Sequence, residues 1–172
     1  MRKLNISPPR LVFMAGVALL CACHKSENEQ IFDKLDRVIA KKHLYEERFV
    51  RHADSLRREL RAAGDDTLRW PTANRLFDSY ITYNIDTAAR YAGLMHNYAD
   101  ATGSREMKFL STTCDVSVLI ARNNIEEAYE RILSLDTVGI TGRMRASYYT
   151  QQMVVFGRLA SGDGSEARRK AY

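Results

Sequence analysis

Cysteine, proline and tryptophan are all scarce in this chain. Its 172 residues include three cysteines, three prolines and one tryptophan. Pro8 and Pro9 both precede residue 23, so Pro71 is the one proline in the rest of the chain. Because so few helix breakers accompany abundant alanine, leucine, arginine and glutamate, the composition predicts an all-α fold.

The apolar segment near the N-terminus is too short to cross a membrane. It covers thirteen residues, 11–23, whereas a spanning helix needs roughly 20. Three basic residues and no acidic ones precede position 11, and a small residue, Ala22, stands before Cys23. A basic start, a short apolar segment and a small residue are typical of a secretory signal peptide.

Ala22-Cys23 resembles the cleavage site of a bacterial lipoprotein signal peptide. The resemblance implies that residues 1–22 are removed and that Cys23 becomes a diacylated N-terminus. Cys21 is the weaker alternative, because a large residue, Leu20, precedes it. On this interpretation the partner of Cys23 is the lipid bilayer, and residues 23–30 are a polar tether. The protein is then expected in the cell envelope, either periplasmic or surface-exposed, and Cys114 has no second cysteine for a disulfide.

The sequence also has no long, densely charged stretch in which all charged residues carry the same sign. The chain has 26 basic and 21 acidic residues, and removal of residues 1–22 leaves 23 against 21. Basic and acidic residues alternate closely, as in Glu46-Glu47-Arg48. The sequence therefore predicts no nucleic-acid partner for this region.

Motifs for catalysis and metal binding are absent from the sequence. None of the four histidines has the spacing of an HExxH site, and there is no GxSxG motif. Cys114 lies on an expected helix that also carries apolar residues, and it is expected to be a buried hydrophobe. Gly162-Asp163-Gly164 is expected to form a turn. The sequence thus predicts no catalytic residue, no metal site and no cofactor, and a protein that is not an enzyme.

Residues 31–64 have the pattern of a long, charged amphipathic helix. They contain no proline, and glycine occurs only at the end, where Gly64 is expected to stop the helix in a left-handed conformation. A break near Lys42-His43 is the alternative, because a lysine interrupts the apolar stripe there. The apolar residues are spaced by three, four or seven: Ile31, Leu35, Val38, Tyr45, Phe49, Leu56 and Leu60.

Residues 65–172 are expected to form a helical-repeat domain. Its first helix is expected to start with capping groups at 65–67 and to have Pro71 in its first turn. A turn, an acid and an alanine then recur in the same order at 84–88, 124–128 and 163–167. Periods of 20–50 residues are typical of stacked repeats. The last repeat is expected to be incomplete at the C-terminus. The alanines that would allow close helix packing lie 40 and 39 residues apart: Ala88, Ala128 and Ala167.

The segment 123–129, Asn-Asn-Ile-Glu-Glu-Ala-Tyr, resembles the inter-helix turn of tetratricopeptide repeats, and 87–91 matches the same place one unit earlier. This resemblance covers about residues 72–172. It implies antiparallel helix hairpins in a right-handed α-solenoid that binds an unknown protein or peptide in the envelope. Armadillo or HEAT repeats are the alternatives, because the period exceeds the usual 34 residues. Asp86 is the expected N-cap of the second helix in the first unit.

A looser resemblance extends over the whole mature chain. The chain is similar to the N-terminal extracytoplasmic region of certain envelope-anchored regulators in Leu35-Asp36 with Ile39, in Tyr45 and in Asp54-Ser55-Leu56, followed by helical repeats. This similarity implies, as an alternative, the sensor portion of a truncated transcriptional regulator.

Candidate binding residues follow from analogy with the inner face of stacked helical repeats. Tyrosines offer apolar area with a polar tip, although most are expected to pack between helices. With a single tryptophan, Trp70, the chain has few platforms for stacking sugars. The predicted contacts, placed on inner helices, are Tyr83, Asn84, Arg122 and Asn123.

Overall fold

The computed structural model describes residues 27–163, which form seven α-helices and a closing π-helical turn at Leu159–Asp163. This part of the chain contains no strand, and the predicted all-α fold is confirmed. The helices are α1 Glu27–Ala40, α2 Lys42–Ala62, α3 Asp66–Tyr80, α4 Ile85–Thr102, α5 Arg105–Ala121, α6 Ile125–Leu133 and α7 Gly142–Arg158.

The chain divides into two compact units, residues 1–49 and 50–172, with the boundary inside α2. The first unit contributes α1 and the first residues of α2. Helix α1 begins at Glu27, so the last four residues of the segment expected to be a tether are helical. A turn at Lys41, whose amide donates to the Val38 carbonyl at 3.1 Å, separates α1 from α2. The expected helix over 31–64 is therefore two helices, with the turn next to the lysine that interrupts the stripe.

Local side chains set the start of α3. The Asp65 carboxylate accepts a hydrogen bond from the Leu68 amide at 2.9 Å, as expected for a capping group. Because the helix begins at Asp66, Pro71 lies inside it, and its expected place in the first turn was wrong. Gly64 is also not among the described glycines with positive φ, so the left-handed stop expected there was wrong.

A side-chain cap or a residue with positive φ marks several of the later helix ends. Asn84, rather than the expected Asp86, caps α4, because its side chain accepts from the Thr87 amide at 2.8 Å. Gly103 ends α4 at φ 67°, a conformation that glycine adopts without a steric cost. Asn123 ends α5 at φ 58°, and the next amide, of Asn124, donates back to the Leu119 carbonyl at 2.8 Å.

In the second unit each helix from α3 onwards packs against the next, and α7 also packs against α5. This is a stack of helix hairpins, α3–α4 and α5–α6, followed by α7. The 40-residue period is visible in the core, where Leu76, Val116 and Val155 are each wholly buried. One core cluster joins residues of α5, α6, α7 and the closing turn: Val116, Ile125, Ala128, Ile132, Val155 and Leu159.

The second half of α2 belongs to this unit. Ala53 and Leu56 are buried, and the Arg57 guanidinium donates hydrogen bonds to the hydroxyls of Tyr80 on α3 and Tyr91 on α4. The rings of Tyr80 and Tyr91 stack at 5.8 Å between centroids. These tyrosines therefore pack between helices.

Candidate functional site

The first helices of successive hairpins, α3 and α5, line a groove together with α7. Its volume is about 330 Å³. Each of the three helices contributes at least one side chain that can donate or accept a hydrogen bond. The lining residues are Asn74, Phe77, Asp78, Leu110, Thr113, Cys114, Ser117, Arg143, Ala146, Ser147 and Gln151.

The floor of the groove is apolar. Phe77, Leu110 and Cys114 are all buried. Burial raises the pKa of the Cys114 thiol far above its usual range, and the nearby carboxylates Asp78 and Asp115 add to the effect. The thiol is therefore protonated at neutral pH, and it is a part of the core rather than a nucleophile.

Two hydrogen bonds across the groove fix α7 against α5. The Ser147 hydroxyl donates to the buried Thr113 hydroxyl at 2.8 Å, and the Gln151 amide nitrogen donates to the Ser117 hydroxyl at 2.8 Å. The second bond uses one amide hydrogen of Gln151, so the same side chain retains a carbonyl oxygen that can accept from a ligand. The wall formed by α5 and α7 is thus ordered before a ligand binds.

Charge is concentrated at the α3 and α7 walls. The Asn74 amide donates to Asp78 at 3.1 Å. Desolvation raises the pKa of the Asp78 carboxyl, and the positive charge of Arg143 partly opposes this rise. The Arg143 guanidinium lies 5.9 Å from the centre of the Trp70 ring. Within residues 27–163, no carboxylate forms an ion pair with Arg143.

Arg143 also lines a second, smaller cavity of about 170 Å³ between α3 and α5. Trp70 forms one side of it and is itself held by a hydrogen bond from its indole nitrogen to the Ser111 hydroxyl at 3.0 Å. Leu110 borders both cavities. Arg143 therefore lies between the groove and this second cavity.

A family model described as the SusR N-terminal TPR domain matches residues 39–172. The chain belongs to this family. Comparisons with curated proteins and with solved structures give no match. The expected tetratricopeptide-like solenoid is thus confirmed, and armadillo and HEAT repeats are no longer needed as alternatives. TPR domains commonly bind protein partners, and their stacked helices present an extended surface for this.

In this TPR domain the four predicted contact residues lie away from the groove. Tyr83 and Asn84 are in the turn between α3 and α4, and Arg122 and Asn123 are in the turn between α5 and α6. The Arg122 guanidinium donates to the Asp86 carboxylate at 2.8 Å, which joins the turn after α5 to the first turn of α4. The expected location on inner helices was wrong, and a role of these residues in binding stays a prediction.

The predicted packing alanines have clear positions where the structure describes them. Ala88 and Ala128 are wholly buried, each in the first turns of the second helix of a hairpin. Ala167 and the predicted lipid-attachment residue Cys23 lie outside the described residues.

Sequence reasoning missed the polar residues of the groove. Their spacing could have revealed them, because on each of the helices α3, α5 and α7 they recur at intervals of four residues. One helical face therefore contains them. They are Asn74 and Asp78 on α3, Thr113 and Ser117 on α5, and Arg143, Ser147 and Gln151 on α7.

No group of histidine, cysteine, aspartate and glutamate side chains within residues 27–163 is placed to hold a metal ion. No helix in the part of the chain that the structure describes combines the length and apolar character that crossing a membrane requires.

A histidine–aspartate pair lies outside the groove. His96 on α4 contacts Asp115 on α5 at 2.7 Å, and Arg131 on α6 lies 3.9 Å from the same carboxylate. The hydrogen bond to Asp115 raises the pKa of His96, although desolvation acts in the opposite direction. The three residues connect three successive helices, which is a structural role.

This pair predicts a pH-dependent stability. The pKa of His96 is higher in the folded state than in the unfolded chain, where it is about 6.5. The pair therefore contributes its full stabilisation of the fold below about pH 6.5. It is lost as the pH rises through the folded pKa. We expect His96→Gln to cost up to about 1 kcal/mol at pH 6 and less at pH 9, because partly exposed ion pairs contribute little more. Urea unfolding at the two pH values measures the difference, and an equal cost at both would contradict the assignment.

Proposed function

We propose that this protein is a non-catalytic TPR lipoprotein, anchored to a membrane of the cell envelope, that binds a protein or peptide segment in the groove. The observation that supports binding there is the composition of the groove. Three helices surround an apolar floor with side chains that can donate and accept hydrogen bonds. Ligand sites usually combine an apolar surface with a few such polar groups.

A peptide in extended conformation suits this chemistry. Its backbone presents one donor and one acceptor at nearly every residue. Asn74 and Gln151, on opposite walls, can satisfy both kinds of group, and apolar side chains can rest on Phe77 and Leu110. Arg143 adds a planar donor that suits a carboxylate or a carbonyl of the ligand.

Membrane anchoring is supported by the sequence near Cys23. Two acyl chains provide stable attachment to a bilayer, because each buried methylene contributes about 0.8 kcal/mol. The domain would then reach its partner from the membrane surface.

We expect Ala146→Arg to abolish partner capture. Ala146 lies on α7, lines the groove and is exposed, so an arginine there fills the groove without disturbing the core. Tagged chain would be cross-linked in cells and purified, and the captured proteins compared with those of the unaltered protein. Binding should fall at least about tenfold, a loss of about 1.4 kcal/mol.

The matched control is Ala101→Arg, at an exposed position on α4, away from the groove lining. It adds the same charge and volume and should retain the partner. Equal melting temperatures of the two variants would show that both fold. Undiminished capture by Ala146→Arg would contradict binding in the groove.

The alternative is that the chain is the extracytoplasmic sensor portion of a truncated transcriptional regulator. The family description supports it, since the matching domain is an N-terminal one. The encoding DNA downstream of codon 172 provides the test. A membrane helix and a DNA-binding domain encoded there, in the same or a shifted frame, would favour the sensor.

A further inference from the structure

Helix α1 exposes an apolar stripe made of Ile31, Phe32, Leu35, Val38 and Ile39. Their exposed fractions are 59%, 62%, 50%, 57% and 57%. With 3.6 residues per turn, the five side chains fall within an arc of about 120°. Each of these five large apolar side chains is at least half exposed, and all lie on one side of a 14-residue helix. Such a patch indicates a surface that contacts another protein or a membrane.

The width of the stripe distinguishes between a partner helix and a membrane. A two-stranded coiled coil uses a narrow seam, which here would contain Ile31, Leu35 and Val38. The next seam position is Lys42, so fewer than two heptads are apolar, whereas a coiled coil needs about three to four. Phe32 and Ile39 widen the stripe beyond that seam. A stripe this broad is better suited to burial in a lipid bilayer than to packing against a single partner helix.

The polar side of α1 suits the headgroup region of a bilayer. Lys34 and Arg37 lie outside the apolar arc and are exposed, and Lys41, in the turn that follows α1, is exposed too. Long basic side chains at a membrane interface keep their charge among lipid phosphates while their methylenes cover apolar surface. Acidic residues share this side of the helix, so attraction to anionic lipid is secondary to burial of the stripe.

The sequence that precedes α1 places the helix close to a membrane. Cys23, the predicted acylation site, is four residues before Glu27, a distance of at most about 14 Å along an extended chain. The apolar segment 11–23 would bring α1 equally close if it were retained. A helix held at that distance can insert its apolar side about 5–10 Å into the boundary between headgroups and acyl chains.

We propose that α1 is an interfacial membrane helix that buries this apolar stripe in the bilayer beside the lipid anchor. The inference rests on the membrane anchoring in the proposed function. It adds a second attachment, which would hold α1 flat on the bilayer surface rather than leaving it free on a tether.

The test measures the water accessibility of single positions on α1. The processed protein, purified from membranes, would be reconstituted into vesicles of phosphatidylethanolamine and phosphatidylglycerol. Leu35→Cys lies on the stripe and Arg37→Cys on the polar side. Each would be labelled with a membrane-impermeant maleimide, first in vesicles and then after unfolding in guanidinium chloride. The unaltered protein serves as the blank in both conditions, since Cys114 is buried only in the folded protein.

We expect Leu35→Cys to label at least about tenfold more slowly than Arg37→Cys in vesicles, and the two rates to converge when the protein is unfolded in guanidinium chloride. Equal rates in vesicles would overturn the inference. Disulfide-linked dimers of Leu35→Cys would overturn it too, because they would place a second copy on the stripe. Acylation and flotation with the vesicles are measured separately. A protein that floats but labels equally contradicts only this inference, whereas one that does not float contradicts the anchor.

Discussion

Replacement of Ala128 by aspartate is expected to unfold the repeat that contains it. Ala128 is wholly buried on α6 and belongs to the core cluster with Val116, Ile132 and Val155. A carboxylate there would be desolvated with no cation among those neighbours. Because an unpaired buried charge costs about 3–5 kcal/mol, the loss is a large part of the stability of an ordinary domain. Circular dichroism during thermal unfolding measures it.

Two further variants make the result specific to the repeat. Ala88→Asp, one period earlier and equally buried, should be destabilised by a similar amount. Ala101→Asp, exposed near the end of α4, should cost at most about 1 kcal/mol, from the helix dipole. A wild-type melting curve for Ala128→Asp would contradict the packing of α6 between α5 and α7.

The second large effect is expected for Cys23→Ser. Serine has no thiol to accept a diacylglyceryl group, so the chain should remain an uncleaved precursor without an acyl label. Radioactive or clickable palmitate, followed by gel analysis of the membrane fraction, provides the measurement.

Cys21→Ser is the control for this variant, since Cys21 belongs to the removed segment on the same interpretation. It should be processed and acylated as usual. Unchanged labelling of Cys23→Ser, or loss of labelling in Cys21→Ser alone, would show that Cys23 is not the acylation site.

The ends of the helices in the repeat domain were largely predictable from the sequence. The turn motifs recognised at 84–88 and 124–128 lie where the second helix of each hairpin begins, α4 at Ile85 and α6 at Ile125. Helix ends depend on local chemistry, since glycine or asparagine can take a positive φ and serine or aspartate can accept from free amides. These signals do not depend on residues that are distant in sequence.

The errors arose where neighbouring residues offered competing signals. Asn84 and Asp86 can both cap a helix, and the pattern could not decide between them. Asn84 accepts from the Thr87 amide, whereas the Asp86 carboxylate pairs with Arg122, 36 residues away in sequence. Asp65 and Pro71 competed in the same way as signals for the start of α3. Asp65 caps the helix, so α3 begins at Asp66 and not close to Pro71.

The all-α fold, the 40-residue period and the buried Ala88 and Ala128 follow from composition and spacing, because each reflects an interaction between near neighbours or a repeated unit. The groove does not follow from them. Asn74 and Ser117 are 43 positions apart and Ser117 and Ser147 are 30 apart, and this spacing does not reveal which side of each helix meets the others. The stacking of α3, α5 and α7 decides that, since the crossing of packed helices determines which faces line a common space.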